Sequence, residues 1–229
     1  MATTDILIRT YSGDLAWLTY CLKSCQKFAK GFNQIHVVVP ESELHLFSHL
    51  TAERVHGWTP CTSDGYLDQQ ATKLYADTIS DADFIVHIDA DTIWSRDVTP
   101  EDLIPNGKAV ILYEDGVESP WSPIVQKALG WPLQSDFMRR PPQVYPRFIY
   151  GEFRKWMRDR HNIELRDWIA RQPYRQFTEY NTLGSWAWET WRDAFEWGNP
   201  SDYPVFVNQE WSWGKISEEI RIKMENILA

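Results

Sequence analysis

Two aspartates lie one residue apart at the end of a strongly apolar segment. Residues 83–89 read DFIVHID, which is typical of a strand buried on both faces of a parallel sheet, and Asp91 follows after one residue. Side chains i and i+2 of an extended segment project to the same side, so Asp89 and Asp91 can share one hard cation. We therefore predict a site for a hard divalent cation at this pair. The alternative is structural, with one aspartate capping the next turn and the other solvated.

The same pair admits a second chemistry. Asp89, Asp91 and Thr92 after an apolar strand also resemble the nucleophile motif of the haloacid-dehalogenase phosphatases, in which the first aspartate attacks phosphorus and the second acts as acid and base. In that family the motif lies on the first strand, whereas two or three predicted strands precede it here. We also find no convincing later acidic pair to complete a magnesium site. A Mg²⁺-dependent phosphohydrolase with Asp89 as nucleophile is therefore the weaker alternative.

The elements that must position these residues alternate in the first half of the chain. Apolar and β-branched runs predict strands, and apolar spacings of three and four predict helices. The predicted strands are residues 5–9, 34–39, 53–56, 83–89 and 110–113, and the predicted helices are residues 15–29, 41–50 and 67–78. This order predicts an α/β sandwich with a mostly parallel sheet, in which ligands bind at the carboxyl ends of the strands. The turn at residues 10–13 and the segment 89–91 should therefore face one crevice.

The second half of the chain has a different pattern. Residues 115–146 are rich in Pro and Gly, which predicts a loop that includes a short helix at 122–129. Three further helices are predicted at 147–160, 181–194 and 217–228. We expect one domain over residues 1–229.

Composition excludes some classes of function. The formal net charge of −9 argues against a nucleic-acid partner, because such binding depends on neutralising phosphates, yet a bound cation could still supply positive charge to a phosphate-bearing small molecule. No apolar segment is long enough for a transmembrane helix, and the first residues lack the pattern of a signal peptide, so we expect a cytoplasmic protein. Cys21, Cys25 and Cys61 form no zinc pattern, and the first two are expected to be buried thiols.

Three segments in order resemble the nucleotide-sugar glycosyltransferases of the GT-A fold. They are residues 8–11 (IRTY), residues 65–74 (GYLDQQATKL) and residues 88–92 (IDADT), with a weaker similarity at 177–184 (FTEYNTLG). The likeness is to small bacterial and large-DNA-virus members, among them the capsid-modifying enzymes of algal viruses. It implies a Rossmann-like α/β/α sandwich with a mostly parallel central sheet. It also implies a nucleotide-sugar donor, with UDP-sugars the favoured class, and host cytoplasm as the location if the protein is viral.

The resemblance assigns roles to residues in these segments. It implies that Thr10, Tyr11 and Ser12 contact the nucleotide, that Asp91 ligates Mn²⁺ or Mg²⁺, and that Asp89 lies near the ribose or the metal. The residues themselves agree in one respect, because a turn that leads into a helix offers backbone N–H groups and a positive dipole end to an anion.

Two polar residues of the 65–74 segment share one helix face. Gln70 and Lys73 are separated by three positions, and from that face they could reach the base, ribose or diphosphate of a donor. The alternative for Lys73 is an ordinary exposed lysine on a solvated helix face. The sequence leaves both interpretations open.

An inverting transfer also requires a base for the incoming hydroxyl. Glu179 begins a predicted helix after Thr178, a suitable N-cap, and is our candidate. The alternative for Glu179 is a carboxylate that complements the helix dipole, and Asp115 and Asp136 are the reserve candidates. Stereochemistry stays open, because an inverting reaction rests on Glu179 alone.

The chain departs from the GT-A pattern at one position and carries an excess of aromatic residues. Many members have a late histidine as a third metal ligand, but the last histidine here is His161, so we assign no third protein ligand. Among the 13 tryptophans, Trp211 and Trp213 would share a face of an extended segment and could contact an acceptor sugar, although core packing is the commoner role of tryptophan.

Together these residues predict a metal-dependent glycosyltransferase of the hexosyl or deoxyhexosyl class. It would transfer a sugar from a nucleoside-diphosphate sugar to a hydroxyl of a carbohydrate or glycan acceptor. Residues 1–114 would bind the donor and residues 115–229 the acceptor. Beside the phosphohydrolase, a non-catalytic carbohydrate-binding module remains an alternative, suggested by the tryptophan content.

Overall fold

The computed structural model describes residues 2–116, 118–139, 141–212 and 214–229. Eleven strands in chain order are β1 (Thr4–Arg9), β2 (Ile35–Pro40), β3 (Arg54–Trp58), β4 (Phe84–Asp89), β5 (Thr92–Trp94), β6 (Ala109–Leu112), β7 (Glu114–Asp115), β8 (Ser135–Asp136), β9 (Gln143–Pro146), β10 (Phe195–Gly198) and β11 (Val207–Gln209) within these residues. The α-helices of the same residues are α1 (Leu15–Phe28), α2 (Gly65–Lys73), α3 (Pro100–Leu103), α4 (Ser122–Leu129), α5 (Phe148–His161), α6 (Leu165–Ala170), α7 (Glu179–Thr190) and α8 (Glu218–Leu228).

The central sheet has the order β3-β2-β1-β4-β9. Strands β1 to β4 are parallel to one another, and β9 pairs antiparallel with β4 at the edge. The middle strands are continuous runs of buried residues, as the apolar sequence 83–89 predicted, because helices and loops cover both faces. The α/β architecture with a mostly parallel sheet is therefore confirmed.

Three two-stranded sheets accompany the central one. β10 pairs parallel with β6, β11 pairs antiparallel with β5, and β7 pairs antiparallel with β8. The β11–β5 pair is the one that affects the site, because β5 begins directly after Asp91 and β11 brings residues 208–212 of the C-terminal part beside it.

Several predicted boundaries differ from the structure. The predicted helix 67–78 is α2 followed by a separate 3-10 turn at Ala76–Thr78, and residues 41–47 form a 3-10 helix rather than an α-helix. The predicted helix 181–194 is α7, which begins at Glu179 and ends at Thr190. The region predicted as a loop contains β9, a strand of the central sheet.

One large apolar cluster contains residues from both halves of the chain. It runs from Ile6 on β1 through Val86 on β4 to Tyr145 on β9 and Trp186 on α7. Cys21 and Cys25 are buried in it, as predicted, and neither is part of a disulfide. Among the residues that the structure describes, no helix has the length and apolar character needed to cross a membrane.

Candidate active site

The carboxyl ends of β1 and β4 lie side by side. Leu7 pairs with His87, Ile8 with Ile88, and Arg9 with Asp89 in parallel register. The turn that begins at Thr10 and the segment that contains Asp91 therefore leave the sheet at the same edge. This is the arrangement that the alternating order of strands and helices predicted.

Asp89 is the last residue of β4, and its side chain is about a quarter exposed. Its Oδ1 accepts a hydrogen bond from Lys73 Nζ at 2.8 Å and one from Gln69 Nε2 at 3.2 Å. The expectation that Asp89 and Asp91 project from one extended segment is wrong, because the chain turns at Ala90 and Asp91 before β5 begins. The two carboxylates are nevertheless close enough to interact electrostatically.

Asp91 is 7% exposed. Its Oδ2 accepts a hydrogen bond from the backbone N–H of Ser212 at 2.9 Å, and its backbone carbonyl accepts one from the N–H of Glu210. Its Oδ1 is buried without a hydrogen-bond partner among the described residues. Burial, together with the negative charge of Asp89, raises the pKa of Asp91 to about 6.

A third carboxylate belongs to this acidic group. Asp14 precedes α1, and burial and then the charge of Asp89 raise the pKa of Asp14 to about 6, against a hydrogen bond with Ser212 that lowers it. Asp14 and Asp91 are thus two acids whose pKa values are raised first by burial and then by the charge of the partly exposed Asp89. The sequence interpretation did not include Asp14, because nothing in residues 10–15 indicates that α1 begins beside Asp89.

The donor atoms suit a hard divalent cation. Asp91 Oδ1 is a buried carboxylate oxygen with no hydrogen-bond partner in the described part of the chain, and Asp89 presents a partly exposed carboxylate near it. Among the described residues, no group of three or more His, Cys, Asp or Glu side chains has the geometry of a metal site. Asp89 and Asp91 are thus the residues that would hold Mn²⁺ or Mg²⁺, and the remaining ligands would come from a substrate diphosphate and water.

Lys73 is the cation that contacts Asp89. It is buried, and its Nζ contacts Asp89 Oδ1 at 2.8 Å and Glu179 Oε1 at 2.9 Å. Burial alone would lower the pKa of Lys73, but the charges of Asp89 and Glu179 raise it well above its usual value. The alternative of a lysine on a solvated helix face is therefore wrong.

Glu179 begins α7, as predicted, but it lies inside the protein with 2% of its surface exposed. Its Oε1 accepts a hydrogen bond from Lys73 Nζ, and its Oε2 has no hydrogen-bond partner among the described residues. Burial raises the pKa of Glu179, and the nearby Lys73 opposes this shift. A raised pKa is the property that a general base requires when it must hold a proton after accepting it.

The start of α7 is capped by a residue far away in the sequence. Thr178, the expected N-cap, makes no capping hydrogen bond with its side chain. The N–H of Glu179 instead donates to Gln70 Oε1 at 3.1 Å. Gln70 and Lys73 thus act from one face of α2, as their spacing predicted, and both contact Glu179.

The turn at Thr10, Tyr11 and Ser12 is less open than expected. Thr10 is buried, Tyr11 is 49% exposed, and Ser12 begins a short 3-10 helix before α1. The N–H of Ser12 donates to a carboxylate oxygen of Glu43 at 2.6 Å, so an acidic side chain already engages the amide that we expected to face an anion. Tyr11 is the most exposed of these three residues.

Helix α2 is held against the sheet by a buried ion pair that the sequence did not reveal. Arg9 Nη2 contacts Asp68 Oδ2 at 2.9 Å, and Asp68 Oδ1 accepts hydrogen bonds from Trp58 Nε1 and the N–H of Cys61. These contacts join α2 to the ends of β1 and β3, and so fix the helix that carries Gln69, Gln70 and Lys73.

The other candidates lie elsewhere or remain undefined. Asp115 is exposed and accepts a hydrogen bond from Ser135, and Asp136 pairs with Arg139. Neither contacts the residues around Asp89. Trp211 is 67% exposed, and its predicted partner Trp213 lies outside the described residues.

The overall fold is similar to that of a known sugar transferase. The crystal structure of galactosyltransferase LgtC in complex with donor and acceptor sugar analogs matches with a TM-score of 0.58 and 11% sequence identity, over 98% of this chain and 95% of that chain. At this identity the likeness shows the fold alone. The GT-A architecture expected from the three sequence segments is confirmed by it.

The sequence also matches a protein family. The model of DUF6492, described as a family of unknown function, matches residues 3–190. The chain belongs to DUF6492. No curated protein sequence matches this DUF6492 member. The matched region contains all the predicted site residues: Thr10, Tyr11, Ser12, Gln70, Lys73, Asp89, Asp91 and Glu179.

Proposed function

We propose that this DUF6492 protein is a metal-dependent glycosyltransferase that uses a nucleoside-diphosphate sugar, with UDP-sugars the favoured donors. The observation that carries the proposal is the unpartnered, buried Oδ1 of Asp91 beside Asp89 at the carboxyl edge of the sheet. In open α/β sheets this edge is where ligands bind. The similarity to the fold of LgtC supports the class of enzyme.

Asp89 and Asp91 would hold Mn²⁺ or Mg²⁺, whose chemistry when bound is to neutralise the departing diphosphate as a Lewis acid. Among the described residues, one side-chain cation contacts this acidic pair, and it does so at Asp89. That cation is Lys73, and its Nζ already faces Asp89 and Glu179. Lys73 would therefore orient the two carboxylates instead of pairing with phosphate.

Glu179 would accept the proton of the acceptor hydroxyl in an inverting displacement. Its Oε1 is held by Lys73, so Oε2, which is buried without a partner among the described residues, would be the oxygen that takes the proton. Burial raises the pKa of Glu179, which makes it a stronger base than an ordinary glutamate. Residues 1–114 would bind the donor, with Tyr11 at the nucleotide, and residues 115–229 would contribute the acceptor side.

The metal assignment is tested by calorimetric titration of UDP with and without Mn²⁺. Asp91→Ala should abolish the Mn²⁺-dependent part of UDP binding while the thermal unfolding transition remains cooperative. Asp97→Ala, which removes an exposed aspartate, is the matched control and should bind as the wild type does. Equal Mn²⁺-dependent binding by Asp91→Ala and wild type would exclude Asp91 as a ligand.

The base assignment is tested by turnover of a UDP-sugar. Glu179→Gln should lower turnover by about 10² to 10⁴ while donor binding persists, as expected for loss of a general base. Glu189→Gln changes an exposed glutamate on the same helix and should leave turnover unchanged. Near-normal turnover by Glu179→Gln would show that another group takes the proton.

The phosphohydrolase alternative makes opposite predictions. It requires Asp89 as a nucleophile in a haloacid-dehalogenase fold, whereas the fold found is GT-A. A phosphohydrolase would release phosphate from simple phosphomonoesters and would be trapped by beryllofluoride at Asp89. We expect neither result. A carbohydrate-binding module would bind glycans without any UDP-sugar turnover.

A further inference from the structure

Two aromatic rings from different halves of the chain stack beside the candidate site. Tyr66 lies in the first turn of α2, and Trp121 immediately precedes α4. Their ring centroids are 6.2 Å apart, with an angle of 10° between the planes. Both residues are partly exposed, so the stack presents aromatic surface to solvent where the two halves meet.

An arginine completes this group. Arg175 is exposed, and its guanidinium lies 5.9 Å from the ring centroid of Tyr66 and 5.4 Å from that of Tyr174. Among the described residues no carboxylate pairs with this guanidinium. Tyr66, Trp121, Tyr174 and Arg175 are called the aromatic–arginine cluster below.

The backbone of Arg175 is held in a defined position. Its φ of +56° lies in the left-handed region, which non-glycine residues adopt only when the surroundings impose it. Its N–H donates to Asp64 Oδ2 at 2.9 Å, and Asp64 Oδ1 accepts from the N–H of Tyr66 as the N-cap of α2. One aspartate thus fixes Arg175 relative to the helix that carries Lys73.

The cluster lies on the Glu179 side of the site. Burial raises the pKa of the Tyr66 phenol, and the next largest cause is the charge of Glu179. Lys73 and Arg175 oppose the shift, and the charge of Asp89 is the smallest influence. The geometry agrees, because the helix that carries Tyr66 binds the N–H of Glu179 through Gln70, and Arg175 precedes Glu179 by four residues.

The chemistry of the cluster indicates the type of acceptor. Aromatic faces provide apolar contact surface for a sugar ring, and an unpaired guanidinium binds carboxylate or phosphate through two parallel hydrogen bonds. We propose that Tyr66, Trp121 and Arg175 form an acceptor subsite for a sugar that carries an anionic group, either a carboxylate or a phosphate. This inference rests on the proposed function and adds the acceptor class to it.

Saturation-transfer difference NMR with three monosaccharide probes tests the proposal. The probes are methyl glucuronide, glucose 6-phosphate and the neutral methyl glucoside, each titrated onto the full chain with UDP and Mn²⁺ present. We expect at least one anionic probe to bind about tenfold or more tightly than the glucoside, as a charge-assisted pair implies. Arg175→Gln should remove that preference, and Trp121→Ala should weaken all binding.

Arg171→Gln, an exposed arginine four positions earlier, is the matched control and should keep the wild-type preference. Equal binding of anionic and neutral probes by the wild type would overturn the proposal, as would an unchanged preference in Arg175→Gln. Calorimetric titration of UDP with Mn²⁺ shows whether Arg175 contacts the donor instead of the acceptor. We expect Arg175→Gln to bind UDP as the wild type does. If Arg175→Gln loses UDP binding and Arg171→Gln keeps it, Arg175 lies at the donor diphosphate, and the acceptor assignment is overturned. Absence of UDP binding in the wild type would instead count against the proposed function.

Discussion

Removal of the Lys73 cation is the perturbation whose effect follows most directly from the structure. Lys73→Met keeps the approximate length and apolar stem of the side chain but leaves two carboxylates without their shared partner. Removing one partner of a buried ion pair lowers the free energy of unfolding by about 3–5 kcal/mol, because the other charge stays uncompensated in the interior. Asp89 is about a quarter exposed and therefore screened by solvent, so most of this cost falls on Glu179.

The expected effect on melting temperature can be worked from that cost. For a chain of this size 1 kcal/mol corresponds to about 2–4 °C, so Lys73→Met should lower Tm by about 6–20 °C. Lys73→Met/Glu179→Gln should recover most of the loss, because the second change removes the orphaned charge. Lys155→Met, on the exposed face of α5, is the control and should stay within about 0.5 kcal/mol of the wild type.

The deficit should also depend on pH. Without Lys73, which lowers the pKa of Glu179, burial would raise that pKa still further. A carboxyl whose pKa is higher in the folded than in the unfolded state binds more protons when folded, so stability falls as pH rises from the unfolded value of about 4.3 to the folded one. The gap between Lys73→Met and wild type should therefore be larger at pH 8 than at pH 5.

Differential scanning calorimetry of the four proteins at both pH values is the assay. The reasoning is refuted if Lys73→Met melts within about 2 °C of the wild type. It is refuted equally if the double variant melts no higher than Lys73→Met. Either result would mean that the Lys73–Glu179 contact contributes little to the folded protein.

Three further predictions test the surroundings of the site. Because Asp91 has a pKa of about 6 before metal binds, Mn²⁺ must displace a proton from it at lower pH. Calorimetry should therefore show that the affinity for Mn²⁺ in the presence of UDP falls about tenfold per pH unit below pH 6. An affinity that is constant from pH 7 to pH 5 would contradict the assignment. Asp68→Ala should destabilise the protein by about 3–5 kcal/mol in urea unfolding, since it leaves the guanidinium of Arg9 buried without its partner; a loss below about 1 kcal/mol would show that the pair is dispensable. Gly184→Ala should lower the free energy of unfolding by about 1–3 kcal/mol, because a Cβ at this position of α7 would lie 2.7 Å from Cβ and Cγ of Phe137. An unchanged Tm would show that the surroundings of Phe137 relax without cost.

The sheet was predictable where its strands are buried on both faces. Continuous apolar runs identify β1, β2 and β4, and their parallel order follows from the helical segments between them. The edge strand β9 was missed because its four residues, QVYP, end in proline within a Pro-rich segment. Proline is tolerated there because an edge strand needs hydrogen bonds on one side only.

The candidate site was only partly predictable, because its contacts join residues distant in the sequence. The spacing of Gln70 and Lys73 correctly placed both on one helix face, but their common partner Glu179 lies 109 and 106 residues away, respectively. No local pattern indicates that Lys73 is buried. Asp14 was missed for the same reason, since its proximity to Asp89 arises from the packing of α1 against β5 and from the contact of Cys21 with the backbone carbonyl of Asp89.

The buried position of Lys73 explains how this site can be formed before a donor arrives. A cation between Asp89 and Glu179 offsets part of the repulsion between two carboxylates that the proposed chemistry needs close together. It leaves Asp91, which Lys73 does not contact, with a raised pKa and an unpartnered oxygen, so the remaining negative charge is concentrated where a divalent cation would bind. Because Gln70 from the same helix also caps α7, movement of α2 would displace Glu179 and release Asp89 together. Contacts from one helix thus reach both the donor and the acceptor sides of the proposed reaction, and we expect Lys73→Met to weaken donor binding as well as turnover.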